Sequence, residues 1–236
     1  MIYNLWYWTG IQGRGEFVRL AMEAAGIAYR DCARELGDEA LVADMKLRSG
    51  GRGPFAPPYI EFNGMVIAHV ANILLYLGER HDLAPPAMAD RYWLHQLQLT
   101  ITDFVAEVHD VHHPVGADLY YEEQKAEAAR AAERFREARI PKFLHHFDAA
   151  ANANPGPWVI NHRWTYVDCS LFQLVEGLRY MFPERMAAIE GDYPTLLRIH
   201  DQVAELPGIQ SYLQSDRRIA FNTDGIFRHY PELDAA

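Results

Sequence analysis

"APPYIEFNGMVIAHVANILLYLG", residues 56–78, holds three signals in one stretch. Asn63-Gly64 suits a type I′ turn, and the runs on either side, Tyr59–Phe62 and Met65–Ala68, are strand-like, so the segment predicts a β-hairpin. Ala71–Arg80 follows at helical period, with Ile73, Leu74 and Leu77 on one face. Pro57 and Pro58 stand directly before the first strand, where a ladder wants donors that proline lacks. A ligand bound in extended form would complete such a ladder.

Working upstream, "IYNLWYW" (Ile2–Trp8) reads as an aromatic-rich strand and "TGIQGRG" (Thr9–Gly15) as a glycine-punctuated loop. From Glu16 a helix is predicted, with Phe17, Leu20, Ala21 and Ala24 sharing a face and Gly26 as its stop. "IAYRDCA" (Ile27–Ala33) reads as a second strand, and a helix between two strands favours a parallel β-α-β unit. Asp38–Leu47 is weakly helical and 48–54 is loop. Residues 1–80 therefore predict one small α/β domain. Beyond a proline-bearing linker, Arg91–His112, Glu122–Asn152, Asp168–Met181, Tyr193–Glu205 and Pro207–Ser215 are helical in period. They predict an all-helical domain over 90–220, with an irregular tail over 221–236.

Half of the 236 residues are hydrophobic and the formal charge is -10. That balance fits a globular chain with a substantial core and argues against a nucleic-acid or anionic-membrane surface. The start of the chain lacks a basic-then-apolar signal pattern and no apolar run is long enough to span a bilayer, so a cytosolic location is expected. Cys32 and Cys169 match no zinc or redox spacing and read as buried thiols. "GIQGRG" lacks both the dinucleotide fingerprint and the P-loop lysine.

Four stretches, in this order, resemble the cytosolic glutathione transferases, with Mu- and Sigma-like features: "WYWTGIQGRGEFVRLAMEAAG", "PPYIEFNGMVIAHVANILLYLGER", "ITDFVAEV" (Ile101–Val108) and "TYVDCSLFQLVEGL" (Thr165–Leu178). The resemblance implies a thioredoxin-like N-terminal domain that binds glutathione, an all-helical C-terminal domain that holds a second substrate, and a homodimer. It implies thiol transfer to an apolar electrophile, as in detoxification, with glutathione as co-substrate and no cofactor. A glutathione-transferase-like binding module, or an isomerase or reductase using the same thiolate, would carry the same motifs.

Activation of the thiol asks for a hydrogen-bond donor aimed at sulfur. Tyr7 stands where the family keeps its tyrosine, and Tyr7-Trp8 resembles the Mu-type pair. An ungapped count back from Arg19 points instead to Trp8, and Thr9 is a reserve donor. Arg14 would steady the loop or the sulfur. The resemblance further implies Lys46 and Arg48 for the glycyl carboxylate, a cis peptide at Pro58, and the Pro57 carbonyl for the cysteinyl backbone. For the glutamyl end it implies His69, the backbone N–H of Val70 and, across the dimer, Asp103. Val70 departs from the family's hydroxyl residue at that position, and Pro57 has no N–H to give. "HDVHH" sets His109, His112 and His113 at helical spacing, read as a polar wall of the second-substrate pocket ahead of a metal site. Phe227, His229 and Tyr230 are large for a free terminus, so the tail is expected to dock and to narrow that pocket with Phe227 and Tyr230. Thr165 and Asp168 read as a capping box.

Overall fold

The computed structural model describes residues 2–160 and 162–236. Strands β1 (Tyr3–Trp6), β2 (Tyr29–Asp31), β3 (Tyr59–Phe62) and β4 (Met65–Ala68) form one sheet in the order β2-β1-β3-β4. β1 and β2 run parallel, whereas β1–β3 and β3–β4 are antiparallel. Residues alternate across β1. Tyr3 and Leu5 face the main core with α1 (Gly15–Ala24) and α4 (Val70–Arg80). Trp6 faces the other way, into a smaller cluster with Cys32, Ala33, Leu41 and Tyr59 under α2 (Cys32–Leu36) and α3 (Asp38–Leu47). The sheet with helices on both faces is a thioredoxin-like unit.

The second strand is shorter than the sequence predicts. Asp31 is drawn to the buried Arg19 at 2.7 Å, and the chain then turns into α2 so that Cys32 and Ala33 reach beneath Trp6 and Tyr59. α4 begins at Val70, one residue earlier than expected.

The helical half comprises α5 (Met88–His112), α6 (Lys125–Arg134), α7 (Ile140–Asn152), α8 (Tyr166–Met181), α9 (Pro183–Ile189), α10 (Pro194–Ala204) and α11 (Pro207–Leu213). The single helix expected over 122–152 is interrupted by a π-turn at Phe135–Arg139. Pro141 explains the break, since it has no N–H for the carbonyl four residues back. α9 is an element that the sequence pattern did not reveal. α8 is the central helix of this half, buried along nearly its whole length. Its start is fixed by Asp168, whose carboxylate accepts from the Thr165 N–H at 2.8 Å, the Thr165 hydroxyl at 2.7 Å and the Val159 N–H at 2.9 Å.

A buried polar network ties the two halves together. Glu16 and Arg19 on α1 are fully buried as an ion pair. Glu16 also accepts from the Tyr212 hydroxyl at 2.8 Å and from Arg218 at 2.5 Å. Gln12 donates to the Ile219 carbonyl and accepts from Gln173 on α8 at 2.7 Å. Breaking one member would strand the others in a low-dielectric setting, so the loop before α1 and the start of the tail are held as a unit.

Candidate functional site

Tyr7 follows β1 and keeps its alternation, so its ring lies on the α1 side of the sheet. It packs so closely against the next loop that a side chain at Gly13 would overlap its hydroxyl and one at Gly15 its ring. Gly13 also has φ +48°, a left-handed geometry that glycine adopts without strain. The Tyr7 oxygen accepts the backbone N–H of Arg14 at 2.8 Å, just before α1 begins. Burial pushes the phenol above its ordinary range, against the pull of that N–H and of the Arg14 and Arg19 charges. Tyr7 is therefore a neutral O–H at physiological pH, able to donate but not to act as a base. A donor whose oxygen already accepts from an amide is polarised towards stronger donation.

The two other candidate donors point elsewhere. Trp8 has the opposite parity and packs, half-buried, against the α2–α3 cluster. Thr9 is engaged by Asp38, through its N–H at 3.0 Å and its hydroxyl at 3.1 Å. This corrects its standing as a reserve donor, because its proton is already committed.

The Pro57–Pro58 bond is cis. The Pro58 carbonyl accepts the His69 N–H at 3.3 Å, which holds the helix start beside the proline turn. His69 has φ +73°, and such strain in a non-glycine residue clusters at binding sites. It is exposed, whereas Val70 is buried. The first turn of α4 carries no side-chain cap and no acidic residue. Its leading N–H groups are thus free to meet an anion. Arg14 reaches the same seam, where it lines a small cavity with Phe17, Val70, Gln98, Ile101, Thr102 and Val105.

The basic residues before the prolines divide. Lys46 is exposed in the last turn of α3. Arg48 is paired with Asp44 at 2.6 Å, and Asp44 also accepts from the Tyr59 hydroxyl at 2.6 Å. That pairing corrects the reading of Arg48 as a free cation awaiting a carboxylate. Asp103 is exposed on the outward side of α5.

At the far end of α5 a groove of about 570 Å³ opens, lined among others by His109, His113, Tyr120, Asp224, Arg228 and Tyr230. The His109, His112 and His113 rings lie 4.8–5.3 Å apart. Burial holds all three below the ordinary imidazole range, His112 down to about 3, so they face the groove or its floor as neutral rings. His112 is anchored to the tail through the Ile226 carbonyl at 2.9 Å. Tyr230 stacks on Tyr121 with centroids 3.8 Å apart and forms part of the wall. The tail docks and lines this groove, but Phe227 does not join it. Its ring is buried against α8 at Gly177, where any side chain would collide with it, so it serves the core.

Sequence reading missed Gln12, Gly13 and Gln98. Gln12 and Gly13 carried only a loop signal. Gln98 had a sharper one: it is a polar residue on the apolar stripe Leu94, Leu97, Ile101, Val105, where a buried amide needs a reason.

The folded chain is similar over its length to three solved structures. A Pi-class glutathione S-transferase of Onchocerca volvulus aligns at TM-score 0.71 and 16% identity, covering 91% of this chain and 93% of that one. A prostaglandin synthase D of Nilaparvata lugens aligns at TM-score 0.70 and 17% identity, covering 92% and 98%. Rat hPGDS complexed with a quinoline aligns at TM-score 0.70 and 19% identity, covering 93% and 100%. The chain therefore has the glutathione-transferase fold. Residues 109–216, most of the helical half, match the family described as "Glutathione S-transferase, C-terminal domain". No curated protein matches the sequence.

Proposed function

We propose that the chain transfers the thiolate of glutathione to an electrophile, with Tyr7 as the donor that stabilises the thiolate. The observation that carries this reading is the Tyr7 hydroxyl itself: kept protonated by burial, and accepting the Arg14 N–H at 2.8 Å beside the start of α1. A free cysteine thiol, with a pKa of about 8.5, is only a few per cent ionised at neutral pH. Lowering that value by two units takes about 2.7 kcal/mol of preferential thiolate stabilisation. One O–H···S⁻ bond near a helix N-terminus is of the right size. The thiolate then attacks the electrophilic carbon, a thioether bond forms, and the leaving group departs with the electron pair of the broken bond. Glutathione is consumed as co-substrate. Its peptide backbone would meet the Pro57 carbonyl, which has no hydrogen-bond partner among the described residues, and its glutamyl carboxylate the start of α4.

Purified protein incubated with glutathione and a chloro-nitro-aromatic electrophile is expected to form the thioether with turnover. Glutathione binding without conjugation would instead favour a binding module, and no binding would end the glutathione reading.

The second substrate belongs, in this reading, in the groove of His109, His113 and Tyr230. Tyr230→Ala removes a stacked ring, so KM for a bulky electrophile should rise about fivefold, the range of one aromatic contact. The Kd for glutathione should be unchanged, and calorimetry beside steady-state kinetics checks both.

The homodimer is part of the same reading. Phe55 is 99% exposed directly before the cis-proline turn, an unusual cost for a large aromatic ring in water. Tyr92 and Leu99 are also exposed on α5, the helix that carries Asp103. A second copy would cover these groups by a two-fold, self-complementary contact. Phe55→Ser is expected to shift the protein from dimer towards monomer at micromolar concentration, as read by sedimentation velocity. A wild-type monomer would refute the dimer.

A further inference from the structure

We infer that the groove at the far end of α5 takes a positively charged electrophile and disfavours an anionic one; the inference rests on the reading of that groove as the second-substrate site. The reason is the charge of its lining. Asp118, Glu122, Asp224 and Arg228 all line it, so three carboxylates stand against one guanidinium among the described residues. The three acids are exposed, and none of their carboxylates forms an ion pair or accepts a hydrogen bond among the described residues. The Arg228 guanidinium is held to its own segment, where it donates to the carbonyls of Gly225 at 2.8 Å and Asp224 at 3.2 Å.

The histidines do not reverse this sign. Burial holds His109 and His113 below the ordinary imidazole range, so at neutral pH they add hydrogen-bonding edges and no charge. Beside them, His112 donates from Nε2 to the Ile226 carbonyl at 2.9 Å, which leaves Nδ1 as a buried lone pair without a partner among the described residues. Charges just outside the lining offset one another. Lys125 lies over the Tyr121 ring at 5.4 Å, while Glu232 accepts from the Tyr121 hydroxyl at 2.9 Å. Arg14 and Asp110 both act on His109, with opposite signs. Three lining carboxylates and one lining guanidinium therefore leave a net charge of -2. Tyr120, 78% exposed, and Tyr230 add aromatic faces, whose quadrupole attracts a cation and not an anion. An apolar electrophile would use the rings alone; a cationic one uses rings and carboxylates together. Two net charges at about 6–8 Å in a wet, salt-screened groove favour a cation over an anion by about tenfold.

The experiment compares three chloro-nitro-aromatic electrophiles that differ in one substituent: neutral, trimethylammonium or carboxylate. Each kcat/KM is divided by the rate constant of the uncatalysed reaction with glutathione, which cancels intrinsic reactivity and the pull of glutathione's own charges. At low salt the normalised value for the ammonium compound should exceed that for the carboxylate about tenfold, with the neutral compound between them. At 1 M salt, where the screening length is about 3 Å, the ratio should fall towards one. Asp118→Asn combined with Asp224→Asn should bring the low-salt ratio close to one, and Arg228→Gln should raise it about threefold. Glu39→Gln, on α3 and outside the groove lining, should leave it unchanged. A wild-type ratio near one, a ratio that favours the carboxylate, or a ratio that the double variant leaves unchanged would overturn the inference. So would an equal response to Glu39→Gln, which would assign the preference to the overall charge of -10. If no electrophile is conjugated, it is the glutathione reading that falls. Calorimetry with the ammonium and carboxylate compounds alone then decides for the groove: preferential binding of the ammonium keeps the inference, and equal or no binding overturns it.

Discussion

Tyr7→Phe is expected to lower kcat/KM for glutathione conjugation by about ten- to a hundredfold near pH 5.5, with a smaller loss above pH 9. The substitution keeps the ring between Gly13 and Gly15 and deletes only the hydroxyl. If that O–H holds the thiolate, its removal raises the thiol pKa by about one to two units, or about 1.4–2.7 kcal/mol. At a pH below both values the ionised fraction, and with it the rate, falls by the same factor. Once the pH exceeds both, thiolate is plentiful either way and the difference narrows. The Arg14 N–H also loses its acceptor, which costs about 1 kcal/mol of stability. A flat ratio of rates across pH would point to misplacement of the loop, not to a lost donor.

The second large effect concerns stability. Asp168→Ala is expected to cost about 3–5 kcal/mol, the range for breaking a fully buried hydrogen-bond cluster. Three donors depend on that one carboxylate: the N–H groups of Val159 and Thr165 and the Thr165 hydroxyl. Asp168 is itself fully buried, so water cannot replace what is lost. For a chain of this size the midpoint of thermal unfolding should fall by about 10 °C or more. Thr165→Ala removes one donor and leaves the rest of the cluster satisfied, so it should cost far less. Denaturant titration of the two variants separates these outcomes, and equal losses would contradict the assignment of Asp168 as the shared acceptor.

Much of this architecture is legible in the sequence because local and global signals agree. The hairpin at Asn63-Gly64 lies at the strand bounds that its turn chemistry demands. The capping box at Thr165 works because side chain and backbone are only three residues apart. Elements decided by distant partners were harder to read. The end of β2 depends on Asp31 meeting Arg19, and α9 has an apolar pattern too short to stand out.

The site divides in the same way. Strand parity, which separates Tyr7 from Trp8, follows from alternation once the register of β1 is known. The commitment of Thr9 to Asp38 and of Arg48 to Asp44 and Tyr59 is a matter of tertiary neighbours. Phe227 and Tyr230 are three residues apart in the tail, yet one fills the core beside Gly177 and the other walls the groove. Nothing in their local sequence distinguishes them. Gln98 is the opposite case, a polar residue whose misfit with its own helix stripe was visible without any structure.

The central claim is that this cleft ionises glutathione through Tyr7. It is tested most directly by titrating the ultraviolet thiolate band of glutathione bound to the wild-type protein. A midpoint about two units below that of the free thiol, at about pH 6.5, is the expected result. A bound thiol that titrates at its free-solution value would contradict the account.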